Sequence, residues 1–373
     1  MKKILFFINN LKYGGAEKVL VNLVNNLNRE KYDLTVLVLF DEGVNKKYLR
    51  SDVTYRYVFK NTFRANSYIL KIFSPEFLYK KCIKDDYDIV ISYLEGATAR
   101  ILSACSNKKT KKISWQHTCV FNKHELTHPV FRNFNEALKV YHSFDAIVGV
   151  SNTAAASFSK VTGITEKIHV LYNTVETEKI LGLGLLPASI TFSSQVINMI
   201  TVGRLVKEKG YERLLRIINR LVKDNIIGKK FHLYILGKGE YKDRLKSYMD
   251  LYNLKNYVTL SGYQENPYQY VSKADLFVCS SYNEGFSTAV TEALILGIPV
   301  VTTLCSGMEE MLGDNNEYGL ITENNEEALY EGIKKMIADP DLLKHYKKMA
   351  GERGKYFSTE KTVKAVEELF DRL

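Results

Sequence analysis

Residues 276–299, LFVCSSYNEGFSTAVTEALILGIP, constrain this chain more than any other stretch. The run opens on four apolar residues, 276–279, which read as a short buried strand. A polar turn at 280–283 leads to Glu284 and Gly285, after which Ala289, Ala293, Leu294 and Leu296 recur at close to helical spacing. Gly297 closes that helix and Pro299 begins the next strand. Strand, helix, strand without a hairpin turn is a crossover unit, and parallel strands joined this way need helices over both sheet faces. The chain is therefore an α/β protein. Backbone N–H groups of Gly285, Phe286 and Ser287 would point out of the helix start, where anions bind. Glu284 stands before the helix and Glu292 about two turns along it. An ordinary crossover unit with a solvated helix face accounts for this spacing as well as a binding site does.

The same rhythm fills both halves. Residues 3–8 read as a strand, Asn9 to Gly15 as a glycine turn and 16–27 as a helix. Gly14 and Gly15 let the backbone approach a ligand closely, but the turn is not the G-x-G-x-x-G of dinucleotide binding. Strands at 33–40, 53–59, 88–92, 112–115, 145–150 and 168–171 complete a seven-strand pattern. Between them Ser74-Pro75-Glu76 and Ser151-Asn152 mark helix starts. The segment 176–195, rich in Gly, Leu, Ser and Thr, reads as a linker. Strands follow at 196–202, 231–236, 258–260, 276–279, 300–303 and 319–321, with helices at 211–223, 240–251, 325–338, 340–356 and 359–373. A chain of 373 residues with this pattern suits two doubly wound domains, 1–175 and 196–356, with a final helix at 357–373.

Charge separates the halves. Residues 1–175 hold 26 Lys and Arg against 15 Asp and Glu, a net of +11, which leaves −1 for the remainder of a chain whose total is +10. A basic first domain suits an anionic membrane or a phosphate-bearing partner. Residues 67–84 interleave Tyr68, Ile69, Ile72, Phe73 and Phe77 with Lys71, Lys80, Lys81 and Lys84, and Arg64 precedes them. That stretch fits a helix packed on the sheet, or a peripheral membrane contact with its apolar side in and its lysines at the headgroups. No aromatic-interleaved single-strand motif or recognition helix points to nucleic acid. Five scattered cysteines indicate neither a disulfide framework nor a zinc site, and His124 and His128 lack a third ligand. Asp85, Asp86 and Asp88 precede a strand and read as a solvated loop rather than a metal clamp. The apolar start ends at Asn9, too soon for a signal peptide, and no run spans a bilayer, so a cytoplasmic location is expected.

Strand 196–202 runs into Gly203-Arg204-Leu205-Val206-Lys207-Glu208-Lys209-Gly210. Arg204 and Lys209 on this loop can neutralise a diphosphate, one with a planar fork and the other as a point charge. The spacing of Glu284 and Glu292 with E-G-F-S and the following A-L-x-x-G-x-P resembles the E-x7-E motif of retaining GT-B glycosyltransferases, in particular glycosyltransferase family 4. G-R-L-x-x-x-K-G resembles a second motif of that family, and Gly14-Gly15-Ala16-Glu17-Lys18 resembles its first loop. Asn173-Thr174-Val175-Glu176 departs from the usual Asn-Gly-Val-Asp, and Gly237-Lys238-Gly239 from the frequent Gly-Asp-Gly.

The resemblance implies the GT-B fold, two Rossmann-like domains facing across a cleft with the last helix crossing back to the first. It implies transfer of a sugar from a nucleotide-diphosphate donor, a UDP-sugar in our reading, to an acceptor hydroxyl with retention and without a metal or other cofactor. Arg204 and Lys209 would clamp the pyrophosphate, with Gly203 beside them. Gly285, Phe286, Ser287 and Thr288 would offer N–H groups to the same charge, Glu284 would hold sugar hydroxyls, and Glu292 the ribose. Tyr263 and Gln264 would lie over the base, His117 and Gly15 near the donor sugar, and Gly14 and Lys12 toward the acceptor. Both acids then face the donor, unlike a glycosidase pair flanking a glycosidic bond. The basic first domain points to a lipid-linked or oligosaccharide acceptor at the inner membrane face, in surface-polysaccharide assembly of the capsule or lipopolysaccharide kind. A soluble acceptor, a nucleotide-sugar epimerase or phosphorylase, and a non-catalytic scaffold are the alternatives.

Overall fold

Continuous apolar strands separated by amphipathic helices can bury both sheet faces only in a three-layer arrangement, and the chain adopts it twice. The computed structural model describes every residue except Tyr13, Arg64, Ala65, Thr191 and 225–229, and the side chains of Asn66 and Ser67. Tyr13 of the glycine turn and Arg64 of the basic apolar run therefore lie outside the described residues. The chain divides into one unit of Met1–Val175 with Thr359–Leu373, and a second of Glu176–Ser358.

The first unit holds a seven-stranded parallel sheet of β1 (Lys2–Ile8), β2 (Tyr32–Phe40), β3 (Thr54–Phe59), β4 (Ile89–Ser92), β5 (Lys111–Gln116), β6 (Ala146–Gly149) and β7 (Ile168–Val170). Its order is β3-β2-β1-β4-β5-β6-β7, so the winding reverses between β1 and β4. Leu5 lies opposite Thr35 on one side and Val90 on the other. Ligands of such sheets bind at the carboxyl ends of the strands beside that reversal. The helix Thr359–Arg372 belongs to this unit. Its Phe370 ring meets Tyr32 edge-on at 5.7 Å, and Phe370 O accepts from Lys2 Nζ at 2.7 Å. Ser74 and Ser151 cap helices as the sequence indicates, accepting from Phe77 N at 3.2 Å and Ala154 N at 3.0 Å.

The second unit holds six parallel strands, β8 (Ile197–Val202), β9 (Phe231–Leu236), β10 (Val258–Gly262), β11 (Leu276–Cys279), β12 (Val300–Thr303) and β13 (Leu320–Thr322). They run in the order β10-β9-β8-β11-β12-β13, with the reversal between β8 and β11. The loops that follow these two strands carry Arg204 and Glu284. Behind the site helix Thr288–Ile295 lies the helix Pro340–Gly354. A methyl at Gly354 would stand 2.3 Å from Leu294 O, so glycine sets the close approach.

The linker reading of 176–195 needs correction. Thr177–Gly184 is a helix of the second unit. Asn266 Nδ2 donates to Leu183 O at 3.0 Å and Ser272 Oγ to Gly184 O at 2.6 Å. Glycine at 184, which looked like linker composition, instead makes room for packing: a Cβ there would lie 2.7 Å from Leu296 Cδ2.

Candidate active site

In the second unit the chain leaves β8 through Gly203 and Arg204, makes a 3-10 turn at Lys207–Lys209, and re-enters a helix at Tyr211–Asp224. Gly210 between them has φ +64°, and a Cβ would fall 2.0 Å from Ser280 O. Only glycine lets the two loops touch here. A Cβ at Gly203 would lie 2.7 Å from Tyr211 Oη and 3.4 Å from Lys209 Cε, so this glycine leaves Lys209 its path.

Lys209 Nζ donates to Glu284 Oε1 at 2.6 Å, and Ser281 Oγ donates to the same oxygen at 2.5 Å. Ser280 Oγ donates back to Lys209 O at 2.9 Å, tying the two loops a second time. Burial disfavours the Lys209 ammonium, yet the carboxylate of Glu284 outweighs it and holds its pKa above the ordinary 10.5. Lys209 is thus locked as a cation. Arg204 is exposed and makes no hydrogen bond or ion pair among the described residues. Its guanidinium lowers the pKa of Lys209, so the two positive charges sense each other.

The helix after Glu284 begins two residues later than its sequence suggests. It spans Thr288–Ile295 with Ser287 as N-cap, whose side chain makes no capping bond. Phe286, just before it, is buried and meets the Phe357 ring at 6.2 Å. Gly285 and Phe286 therefore precede the helix, and the N–H groups of its first turn start at Thr288. Glu292, about one turn in, is buried and accepts from Tyr268 Oη at 3.2 Å. Tyr263 is exposed, with Lys238 Nζ 5.0 Å from its ring centre. Gln264 spends its amide on the fold: Nε2 donates to Ser261 O at 2.8 Å and Oε1 accepts from Tyr270 Oη at 3.0 Å.

In the first unit His117 follows β5. Its backbone N–H and that of Thr118 donate to Glu95 Oε1 at 2.5 and 2.8 Å, and its ring lies 4.8 Å from Tyr93. Burial pushes the His117 pKa down to about 3, so the imidazole is neutral, and Nε2 has no hydrogen-bond partner among the described residues. Gly14 is the N-cap of the helix Gly15–Asn26 with extended backbone, φ −146° and ψ 160°. A Cβ there would meet the Glu17 carboxylate, the mobile end of a side chain that can move aside. Lys12 pairs with Glu42, whose carboxyl is pulled down to about 2, first by that bond and then by Thr62.

The structure thus brings Lys209, Glu284 and Ser281 into one bonded cluster, with Gly203 against the Lys209 side chain, Arg204 nearby, Gly285 through Thr288 continuing from it and Glu292 on the helix behind. His117, Gly14, Gly15 and Lys12 belong to the first unit. Sequence reasoning missed Ser281, Tyr268, Arg213 and Glu95. Glu95 was the most accessible of them, since it stands three residues beyond β4, at the carboxyl edge where such sheets bind ligands. Among the described residues no group of three His, Cys, Asp or Glu is placed to hold a metal ion, and no helix is long and apolar enough to cross a membrane.

Two Rossmann-like units, the second with a cation-carboxylate cluster at its reversal loops, match the architecture of the GT-B glycosyltransferases, and comparison with known proteins shows the class. Residues 13–179 match the model of Glycosyltransferase Family 4, and residues 187–353 that of Glycosyl transferases group 1. A Campylobacter jejuni N-acetylgalactosamine-N,N'-diacetylbacillosaminyl-diphospho-undecaprenol 4-alpha-N-acetylgalactosaminyltransferase is 30% identical over 97% of both chains. A lipopolysaccharide core biosynthesis glycosyltransferase of Rhizobium meliloti is 21% identical over 89% of this chain and 88% of its own. Among solved structures, Anabaena HepE in complex with UDP and glucose superposes with a TM-score of 0.79 at 18% identity, over 100% of both chains. The chain belongs to the family 4 glycosyltransferases and is a hexosyltransferase by class.

Proposed function

We propose that this enzyme transfers a sugar from a UDP-sugar to a hydroxyl of a lipid-linked glycan in surface-polysaccharide assembly, with retention at the anomeric carbon. The observation that carries the proposal is the Lys209–Glu284–Ser281 cluster beside the exposed Arg204, at the carboxyl ends of β8 and β11. Departure of a nucleoside diphosphate develops negative charge on phosphate oxygens, and cations and helix N–H groups fixed beforehand stabilise it without reorganising. Arg204 reaches the diphosphate, Lys209 adds its positive field, and the first turn at Thr288 supplies N–H donors. Glu284 receives both of its described bonds on Oε1, which leaves Oε2 for a sugar hydroxyl. Glu292 takes the ribose, Tyr263 flanks the base, and neutral His117 offers Nε2 to a sugar hydroxyl in the first unit. The leaving phosphate accepts the acceptor proton, so the chemistry uses neither a metal nor a dedicated base.

Support for the donor and acceptor comes from relatives: HepE is seen with UDP, and the Campylobacter enzyme acts on a diphospho-undecaprenol-linked sugar. Contact with an anionic membrane belongs to the same proposal. In the helices Asn66–Ile72 and Pro75–Cys82 and the turn between them, Tyr68, Ile69, Ile72, Phe73 and Phe77 are exposed, and Lys80, Lys81 and Lys84 stand beside them. An apolar ridge with flanking lysines suits the inner face of a plasma membrane. The decisive experiment incubates the protein with UDP-glucose, UDP-galactose or UDP-N-acetylgalactosamine and diphospho-undecaprenol-linked oligosaccharide, and follows UDP release and the new glycan. Release that depends on acceptor supports the proposal. Transfer only to a water-soluble glycan would replace the acceptor, and product from donor alone would favour an epimerase. Flotation with phosphatidylglycerol vesicles tests the membrane contact; a protein that stays unbound at low salt has none.

A further inference from the structure

We infer that Arg213 is a positioning residue for Glu284, acting from beneath the turn that carries it; this rests on reading Glu284 as a donor-contacting group. Arg213 lies in the helix Tyr211–Asp224 and is only 2% exposed. Its donors run to the turn after β11 and to the strand ends beside it. Nε donates to Ser280 O at 2.8 Å and Nη2 to Ser281 O at 2.6 Å. Nη2 also reaches Thr303 Oγ1 at 3.3 Å, and Nη1 reaches Asn324 Oδ1 at 2.9 Å. The guanidinium carbon stands 4.0 Å from the centre of the Tyr282 ring. Asn324 extends the clamp by donating from Nδ2 to Tyr282 O at 2.9 Å. Three consecutive carbonyls, 280 to 282, are therefore held from below.

Arg213 has no carboxylate ion-pair partner among the described residues, and burial lowers its pKa. A buried, unpaired cation is costly, and a leucine would fill this helix position without that cost. What arginine supplies instead is a rigid fork of directed donors. The turn it fixes holds both groups that anchor Glu284. Ser281 Oγ donates to Glu284 Oε1 directly, while Ser280 Oγ fixes the backbone of Lys209, whose ammonium donates to that same oxygen. Loss of the fork frees the turn and lets Glu284 leave its bonded position. Lysine cannot replace arginine here, because donors on a single nitrogen cannot span the acceptors that Nε, Nη1 and Nη2 reach from three corners of a planar fork.

The test uses full-length Arg213→Met, Arg213→Lys and Ser281→Ala proteins. Hydrogen exchange is followed by mass spectrometry with and without UDP, and UDP release from the three UDP-sugars is measured at 20 °C in the presence of diphospho-undecaprenol-linked oligosaccharide. Arg213→Met and Arg213→Lys are expected to exchange at least tenfold faster in peptides covering 280–287 and to leave the 231–236 strand unchanged. Turnover per folded molecule is expected to fall at least thirtyfold in both. Ser281→Ala keeps the clamp, so its exchange stays slow while its turnover falls at least tenfold. Uniform acceleration across the second unit with unchanged turnover per folded molecule would make Arg213 merely structural and overturn the inference. Rescue by lysine would also overturn it. Exchange decides the matter even where none of the three donors turns over. Full activity in Glu284→Gln would instead remove the donor-contacting role of Glu284 and leave the clamp standing.

Discussion

The Lys209–Glu284 pair lends itself to a double-mutant cycle with Lys209→Met, Glu284→Gln and the combined protein. At 2.6 Å and an effective dielectric constant near 20, attraction between the charges is roughly 6 kcal/mol. Desolvation offsets several kcal/mol of this, since the side chains retain only 22% and 12% of their exposure. A coupling of about 2 kcal/mol remains, the size seen for contacting charged residues. Lys209→Met alone leaves a half-buried carboxylate bonded only to Ser281 and is expected to cost about 3 kcal/mol. For a unit of this size that lowers its melting temperature by roughly 6–12 °C. The double variant should recover part of the loss. Urea and thermal unfolding of the four proteins measure the cycle, and strict additivity within about 0.5 kcal/mol would refute the reasoning. The sign with pH is fixed as well. Because folding raises the Lys209 pKa above 10.5, its contribution is complete below that value and disappears as pH rises through the higher folded one. The coupling should therefore be flat between pH 6 and 9.

Three further outcomes follow from the geometry. Arg204→Ala should abolish stabilisation by UDP, which for the unaltered protein amounts to about 2.7 kcal/mol at a hundredfold excess over Kd; a retained thermal shift would remove Arg204 from the site. His117, held near a pKa of about 3, stays neutral in the fold while the unfolded chain takes up a proton below its ordinary 6.5. The first unit should thus lose up to about 1.4 kcal/mol per pH unit as pH falls below 6.5, and His117→Asn should flatten that slope in urea unfolding. Gly210→Ala should cost about 3 kcal/mol, because the new methyl meets Ser280 O at a φ that side chains avoid. A melting temperature within 2 °C of the unaltered protein would show that the loop moves aside freely.

Strand and helix identity was legible in the sequence because apolar periodicity, glycine turns and serine caps are local properties of the chain. The run 276–279 and the strand 231–236 read correctly to the residue, and the two sets of crossover units gave the doubly wound class directly. Candidate residues could be nominated from their place beyond strand ends. Their partners could not. Lys209 and Glu284 meet across 75 positions and Arg213 and Ser281 across 68, and no local pattern encodes such a meeting. Likewise nothing local announces the pairing of Lys12 with Glu42, and the glycines of 176–195 read as linker composition although Leu296 packs against one of them. Sequence by itself determined which backbone each segment prefers and which charges are present. Tertiary structure alone decided which of those charges are spent on one another and which, like Arg204, make no ion pair among the described residues, since electrostatic pairing depends on distances of a few ångströms that exist only once each unit has folded.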